Sequence, residues 1–216
     1  MRATREIAPQ LLSRIDDSPD PLFYAQPRFV HHIDHATIEA LTSLYRERLP
    51  AGAELLDLMS SWVSHLPPEA RYSRVAGLGM NHAELTANSQ LTDRVVHDLN
   101  ANPVLPYETS SFDAVLLAVS VQYLIRPIEI FREIGRVLRA SGEALVAVSH
   151  RSFPSKAIAL FRSAAATDRP QIVAAYFRAA GGFAEPILLD RSPPGPQPID
   201  PLWVVAGRGR DRPADA

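Results

Sequence analysis

The stretch that decides the fold is LPYETSSFDAVLLAVSVQYLIRPIEIFREIGRVLRASGEALVAVSHR, residues 105–151. Its apolar runs at 112–120 and 143–149 predict two buried strands, apolar on both faces as in the middle of a parallel sheet. The segment 127–142 predicts a helix, since its apolar residues recur at helical spacing, a proline begins it and Gly142 follows its end. A strand, a helix and a second strand in this order indicate a parallel βαβ unit.

The same alternation continues on both sides of this unit. Further predicted strands are ELLDL (54–58), RVAGLG (74–79), RVVHDL (94–99), EPILLD (185–190) and LWVVAG (202–207). Further predicted helices are HATIEALTSLYRERLP (35–50), with Asp34 as its N-cap, and PQIVAAYFRAAG (170–181). A proline-rich linker joins the last two strands and excludes a helix between them. We therefore predict an α/β fold whose seven-stranded, mainly parallel sheet ends in a C-terminal antiparallel hairpin.

Composition narrows the class of protein. The chain has 216 residues, 46% of them hydrophobic and 21% charged, which suits one compact domain. A net charge of −2 gives no electrostatic reason to expect a nucleic-acid or anionic-membrane partner. Because there is no cysteine, disulfides and thiolate metal sites are excluded. The N-terminus has no apolar core of the signal-peptide kind, and no run approaches a membrane span, so we expect a cytoplasmic protein.

Two motifs within the quoted stretch carry a family resemblance. The turn LPYETSSFD enters the strand at 112, and the helix ends in EIGRVLRASGE. This pattern resembles the class I S-adenosylmethionine-dependent methyltransferases of the type 11-like, small-molecule kind, over roughly residues 50–150. The resemblance implies a three-layer Rossmann-like methyltransferase fold, S-adenosylmethionine as cofactor and a small-molecule acceptor. It also implies three parts: an N-terminal helical or lid segment (1–49), a methyltransferase-like domain (50–207) and a disordered tail (208–216).

The resemblance places the cofactor at the ends of the first four strands. Asp57 matches the acid that ends the family's first strand. Met59, Ser60 and Ser61 then stand in place of the glycine-rich loop at the methionine end of the cofactor. Gly79 stands where the family has an acid that holds both ribose hydroxyls. The other residues that the resemblance implies are Met80 and Asn81 at the ribose, Asp98 and Leu99 at the adenine, and Ser120 and Tyr123 between cofactor and acceptor.

The segment after Asp57 departs from the family because it contains no glycine. A β-branched residue such as Val63 disfavours positive φ, so the loop must take another path. We expect it to open directly into a helix with Ser60 or Ser61 as N-cap. Trp62 is then either a core residue or a plug in the cofactor's space. Two functions stay open: a methyltransferase, with Asn81 as neutral replacement for the missing acid, or a non-catalytic binding or interaction module.

Two other groups of polar residues fall where a ligand is expected. Tyr24, Arg28 and His32 lie in the N-terminal segment, which in the resembled fold covers the acceptor pocket. His150 and Arg151 follow the fifth strand, at the edge where open α/β sheets bind ligands. They are candidates to bind an anionic or hydroxylated acceptor, with His150 as a possible base. For both groups the alternative is a solvated surface.

Three rival motifs are weaker. His31, His32 and His35 precede a helix rather than share a helix face, and no further ligand is evident, so we expect no metal site. GLGMNH (77–82) resembles a dinucleotide fingerprint but has His82 in place of the third glycine. SSWVSH (60–65) lacks the glycines of a nucleophile elbow.

Overall fold

The computed structural model of the chain describes residues 7–195 and 199–210. Its strands are β1 (Glu54–Leu58), β2 (Arg74–Gly79), β3 (Asp93–Val96), β4 (Phe112–Ala118), β5 (Leu138–Val148), β6 (Ile187–Asp190) and β7 (Trp203–Arg208). Its α-helices are α1 (Pro9–Leu12), α2 (Asp20–Phe23), α3 (His35–Arg48), α4 (His82–Ala87), α5 (Pro127–Val137), α6 (Ala159–Ser163) and α7 (Arg169–Ala180).

All seven strands form one sheet in the order β3-β2-β1-β4-β5-β7-β6. The first five run parallel to one another, and β7 is antiparallel to both of its neighbours, β5 and β6. The predicted fold class and the C-terminal antiparallel hairpin are therefore confirmed.

Helices cover both faces of the sheet, which gives three layers. Neighbouring strand residues point to opposite faces, so Leu117 packs toward the core that contains Phe131 of α5 and Phe177 of α7. Leu116 packs toward the other core, which contains Leu44 of α3. All of these side chains are buried, and each stabilises the fold by roughly 1.5–3 kcal/mol relative to an exposed position.

The connection between β1 and β2 contains no helix. This crossover loop, residues 59–73, is irregular, so the prediction of a helix beginning at Ser60 or Ser61 is wrong. Pro67 and Pro68 explain the failure, because the residue before a proline is disfavoured in the α conformation. Fewer than two helical turns fit between the serines and the prolines. The carboxyl ends of β1 and β2 are therefore covered by irregular backbone.

The helix α5 ends earlier than the sequence predicts. It stops at Val137, and the backbone turns extended at once, so that Leu138 pairs with Phe112. Gly142 therefore lies within β5 and does not terminate a helix. A β-carbon at position 142 would lie 3.0 Å from the carbonyl oxygen of Arg139, so close packing is what requires this glycine.

The N-terminus of α3 is tied to the proline-rich linker. Asp34 caps the helix as predicted, its carboxylate accepting a hydrogen bond from the backbone N–H of Thr37 at 2.9 Å. From the linker, the carboxylate of Asp200 accepts the backbone N–H of Asp34 at 2.8 Å. The linker thus fixes the start of α3 against the sheet.

At the C-terminus, Arg208 ends β7, and the backbone N–H of Gly209 donates to the carbonyl of Gly142 at 2.8 Å. Residues 211–216 of the predicted tail lie outside the described part of the chain. Within that part, no helix is long and apolar enough to cross a membrane.

Candidate functional site

A cavity of about 310 Å³ opens at the carboxyl ends of β1, β2 and β4. Open α/β sheets bind their ligands at this edge. Its roof is the segment 13–34, which we name the N-terminal strap, and the crossover loop forms one wall. The sequence-predicted site residues that line it are Asp57, Met59, Ser60, Ser61, Gly79, Met80, Asn81, Asp98, Leu99, Ser120, Tyr24, Arg28, His32, Tyr123 and Arg151. His150 lies outside the lining.

Asp57 braces the crossover loop. Its side chain is 4% exposed, and Oδ2 accepts hydrogen bonds from the hydroxyls of Ser60 and Ser64, both at 2.6 Å. Asn88 extends the network by donating to the hydroxyl of Ser64 at 2.9 Å. Burial raises the pKa of Asp57 to about 6, although the two hydroxyls act in the opposite direction. Its other oxygen, Oδ1, has no partner within the described residues.

The loop crosses directly over the end of β2. Met59 adopts a φ of 59°, a left-handed conformation that glycine usually provides. The backbone N–H of Ser60 then donates to the carbonyl of Leu78 at 2.8 Å. The carbonyl oxygen of Ser60 packs against Gly79 so closely that a β-carbon at position 79 would collide with it. The path of the glycine-free loop after Asp57 and the absence of an acid at position 79 are therefore linked, because the loop backbone takes the space that a side chain at 79 would need.

Asn81 holds the N-terminal strap. Its Oδ1 caps α4 by accepting from the backbone N–H groups of Ala83 and Glu84. Its Nδ2 donates to the carbonyl oxygens of Tyr24 at 2.9 Å and Ala25 at 3.2 Å. Both donors of the amide are thus engaged by the strap, which leaves this residue poorly suited to replace the missing acid.

Glu84 joins the strap to the crossover loop, and sequence reasoning did not identify it. Its Oε2 accepts the hydroxyl of Ser61 at 2.6 Å, and its Oε1 accepts the backbone N–H of Arg28 at 2.7 Å. The carboxylate lines the cavity, five residues after Gly79. A signal was present: NHAE (81–84) has the spacing of a capping box. Here the glutamate reaches other segments of the chain instead.

The ends of β3 and β4 provide further polar groups. Oδ1 of Asp98 accepts the backbone N–H groups of Asn100 at 2.9 Å and Ala101 at 3.2 Å. Ser120 is 8% exposed, and its hydroxyl has no hydrogen-bond partner in the described part of the chain. Val119 precedes it with a φ of 45°, which is costly for a β-branched residue, by roughly 1–3 kcal/mol. Strain of this kind is typical of functional sites.

Trp62 belongs to the cavity wall. Its Nε1 donates to the carbonyl of Val30 in the strap at 3.0 Å, and its ring centroid lies 4.8 Å from that of His31. The indole is half-buried and is neither part of the core nor a plug, since the cavity stays open beside it.

The end of the cavity beneath the N-terminal strap is aromatic and imidazole-rich. Tyr123 stacks on Phe153 with ring centroids 5.9 Å apart, and its hydroxyl accepts the backbone N–H of Phe153 at 2.8 Å. Burial lowers the pKa of His65 to about 4 and also lowers the pKa of His32. Both imidazoles are therefore neutral at pH 7.

His150 and Arg151 share one partner. Nε2 of His150 and Nε of Arg151 each lie 2.8 Å from Oδ1 of Asp200. This carboxylate directs His150 away from the cavity lining. Within the described residues, no three His, Cys, Asp or Glu side chains lie together in a way that could hold a metal ion, and this includes His31, His32 and His35.

A buried ionic cluster fastens the strap to the domain. Lys156 is fully buried, and its Nζ donates to the carbonyl of Ser18 at 2.6 Å and lies 3.3 Å from carboxylate oxygens of Asp16 and Asp20. Asp20 also pairs with Arg14 at 2.6 Å. The roof of the cavity is thus fixed by charge pairs, of which those between Asp20, Lys156 and Arg14 are shielded from solvent whereas Asp16 is 33% exposed.

One family of known proteins matches part of this chain. Residues 60–146 match the methyltransferase domain family. The α/β domain has the class I methyltransferase fold. This confirms the family resemblance carried by the two motifs. No curated protein sequence matches this methyltransferase-fold chain.

Solved structures share the fold across most of the chain. The [4+2]-cyclase SpnF superposes with a TM-score of 0.60 at 17% identity, covering 88% of this chain and 93% of its own. A complex from Haloferax volcanii, of the Trm112 methyltransferase activator and a candidate methyltransferase, superposes with a TM-score of 0.58 at 16% identity. The match covers 82% of this chain and 91% of the chain in that complex. An S-adenosylmethionine-dependent methyltransferase from Mesorhizobium loti superposes with a TM-score of 0.56 at 17% identity. The match covers 78% of this chain and 97% of that enzyme. The TM-scores show a shared fold, and at these low identities they show the fold alone.

Proposed function

We propose that the protein transfers a methyl group from S-adenosylmethionine to a small-molecule acceptor in the cavity beneath the N-terminal strap. The observation that carries this proposal is the open cavity between the ends of β1 and β4, with Trp62 in its wall. Its volume of about 310 Å³ is at the lower end of the range for small-molecule sites, roughly 300–1,000 Å³. The cofactor supplies an activated methyl group on a sulfonium, so the protein's task is mainly alignment.

The residues present fit the two ends of the cofactor. At the methionine end, Asp57 Oδ1 and the Ser120 hydroxyl are polar atoms without a partner among residues 7–195 and 199–210, and both residues line the cavity. At the adenine end, Met80 and Leu99 offer apolar surface, and Asp98 keeps one carboxylate oxygen free of the turn that it caps. Buried polar groups require partners, and a bound ligand would provide them.

For the ribose we propose Glu84 in place of the missing acid. Gly79 cannot carry a side chain, and Asn81 is committed to α4 and the strap. Glu84 is a carboxylate in the same wall, and each of its oxygens accepts one hydrogen bond from the described part of the chain. An ionised carboxylate offers about four acceptor positions, so two hydroxyls can still be bound.

The acceptor would lie beneath the strap, which corresponds to the lid expected within residues 1–49. Tyr24, Arg28 and His32 line the cavity from above, and Tyr123 and Arg151 line it from the strand side. His150 has no role in this arrangement because its imidazole is held outside the lining by Asp200.

The test is calorimetric titration of the purified protein with S-adenosylmethionine and S-adenosylhomocysteine. We expect micromolar dissociation constants. Glu84→Gln should weaken binding at least about tenfold, because a hydrogen bond to a charged group contributes roughly 1.5–3 kcal/mol. Glu108→Gln changes an exposed glutamate outside the cavity lining and is the matched control. An absence of binding at millimolar ligand would refute the proposal.

A second candidate is a protein with this fold that transfers no methyl group. The contact between Ser60 and Gly79 favours it, since that contact removes the acid expected at the ribose. SpnF, named a [4+2]-cyclase, also has this fold. This candidate predicts that Glu84→Gln leaves cofactor affinity unchanged or that no cofactor binds at all.

A further inference from the structure

We infer that the acceptor is an aromatic molecule with an ionised acid group, and that the guanidinium of Arg28 binds this group. The inference rests on the proposed function, since it names the substrate class of the same cavity. It is carried by the position, partners and packing of Arg28 and by the side chains that face it.

The charge of Arg28 is not neutralised by a carboxylate. Its guanidinium donates to two backbone carbonyl oxygens, those of Phe23 at 2.9 Å and Gln26 at 3.5 Å. Within the described residues it forms no ion pair, whereas Arg151, the other arginine that lines the cavity in this part of the chain, pairs with Asp200. A guanidinium has five N–H donors, so several remain for a ligand.

Aromatic rings hold this guanidinium in one place. Its Cζ lies 4.6 Å from the ring centroid of Phe23 and 5.5 Å from that of Phe153. A third ring, that of Tyr24, lies 5.9 Å away. Stacking orients a guanidinium and partly desolvates it, but it leaves the positive charge in place. A fixed fork of this kind suits a carboxylate or another planar acid group.

Neighbouring acids do not compete for Arg28. The carboxylate of Glu84 accepts a hydrogen bond from the backbone N–H of Arg28 and not from its guanidinium. Asp20 is occupied by Arg14, Lys156 and Asn100. His32 and His65 face the same space as neutral imidazoles with no hydrogen-bond partner of their own in the described residues. An anion is thus the ligand that this end of the cavity lacks.

The walls beside Arg28 suit a flat ring. Trp62, Tyr123 and Phe153 all line the cavity. Aromatic pairs prefer centroid separations of roughly 4.5–7 Å, so a ring bound between these walls would add stacking contacts. The combination of flat apolar walls with one fixed cation points to an aromatic acid.

The experiment measures the affinity of matched acid and amide pairs by calorimetry with S-adenosylhomocysteine present. The pairs are benzoate and benzamide, 4-hydroxybenzoate and 4-hydroxybenzamide, and 2-naphthoate and 2-naphthamide. We expect at least one acid to bind about tenfold or more tightly than its amide, from the charge-assisted hydrogen bonds to Arg28. Arg28→Gln should abolish this preference, while Arg28→Lys should retain part of it because the charge remains.

Arg71→Gln is the control, since Arg71 also donates only to backbone carbonyls but lies outside the cavity lining. Arg71→Gln should leave both the acid preference and the affinity for S-adenosylhomocysteine within about twofold of the wild type, as expected for a residue outside the cavity. No preference for any acid, or a preference that survives Arg28→Gln, overturns the inference. Failure of the wild-type protein to bind S-adenosylhomocysteine instead contradicts the proposed function, and the acid and amide affinities can still be compared in that case.

Discussion

The carbonyl oxygen of Ser60 rests against Gly79 in the space that a β-carbon at position 79 would need. The crossover loop has thus moved into the place where the family carries an acid. The two departures from the family pattern depend on each other, because restoring a side chain at 79 requires the loop to move first.

Gly79→Ala is therefore expected to lower the free energy of unfolding by about 1–3 kcal/mol, through overpacking against rigid backbone. Chemical denaturation measures the change. Gly209→Ala is the control, because a β-carbon there would approach no heavy atom closer than 3.4 Å. Equal stability of Gly79→Ala and the wild type would show that the loop moves freely and would contradict the coupling.

Asp57 makes stability depend on pH. Its folded pKa of about 6 exceeds its ordinary value of 3.8, so between these pH values the folded state holds more protons than the unfolded state. Stability is lost as pH rises through this window, by about 3 kcal/mol in total. Relative to Asp57→Asn, the wild type should therefore become less stable between pH 4 and pH 6, as read from denaturation midpoints.

Ser64→Ala provides the check on that interpretation. The hydroxyl of Ser64 lowers the pKa of Asp57, so its removal should enlarge the loss of stability with rising pH. A smaller loss in Ser64→Ala than in the wild type would mean that Asp57 is not the titrating group.

His65 acts in the opposite direction. Its folded pKa of about 4 lies below the ordinary value of 6.5, so the unfolded state takes up a proton first as pH falls. Relative to His65→Asn, the wild type should therefore lose about 3 kcal/mol of stability as pH falls from 6.5 to 4. His65→Asn should abolish this loss, and asparagine suits the φ of 56° at this position. His65→Ala should also lack this loss of stability, although it should be less stable than the wild type at neutral pH. A loss as large as that of the wild type in both variants would count against burial of the imidazole.

Lys156 is expected to hold the roof of the cavity. Lys156→Met leaves Asp16 without its partner and removes one of the cations on Asp20, at a cost of about 3 kcal/mol. Limited proteolysis should then cut within residues 13–34 much faster than in the wild type. Arg126→Met breaks an exposed pair with Glu129 and should cost less than about 1 kcal/mol. Equal protease resistance of the two variants would show that the strap is held by other contacts.

The sheet could be predicted from the sequence because its strands are short apolar runs between turn residues. The bounds of β1 and β2 agree with ELLDL and RVAGLG to the residue. The end of α5 could not be placed, since helical spacing continues through Leu138 while the pairing of that residue with Phe112 is a tertiary contact. The spacing of apolar residues describes a single segment and contains no information about the strand with which that segment pairs.

The position of the candidate site could be predicted from the parallel order of the strands. Parallel strands bring their carboxyl ends to one edge, so residues after β1 to β4 had to meet there. The crossover loop was not predictable, because side chains from other segments determine its path. Asn88 donates to the carbonyl of Ser61, Gln90 to that of Leu66 and Thr42 to that of His65. Nothing in the loop's own sequence specifies these partners.

The absence of a helix between β1 and β2 has a consequence for how the molecule opens. A helix carries its own ladder of backbone hydrogen bonds, whereas this loop depends on separate bonds from Thr42, Glu84, Asn88 and Gln90, each contributing roughly 1 kcal/mol. Local unfolding begins where such protection is weakest. Amide hydrogens of residues 61–69 should therefore exchange with solvent before those of the flanking strands, which makes this cavity wall a readily opened route for a ligand.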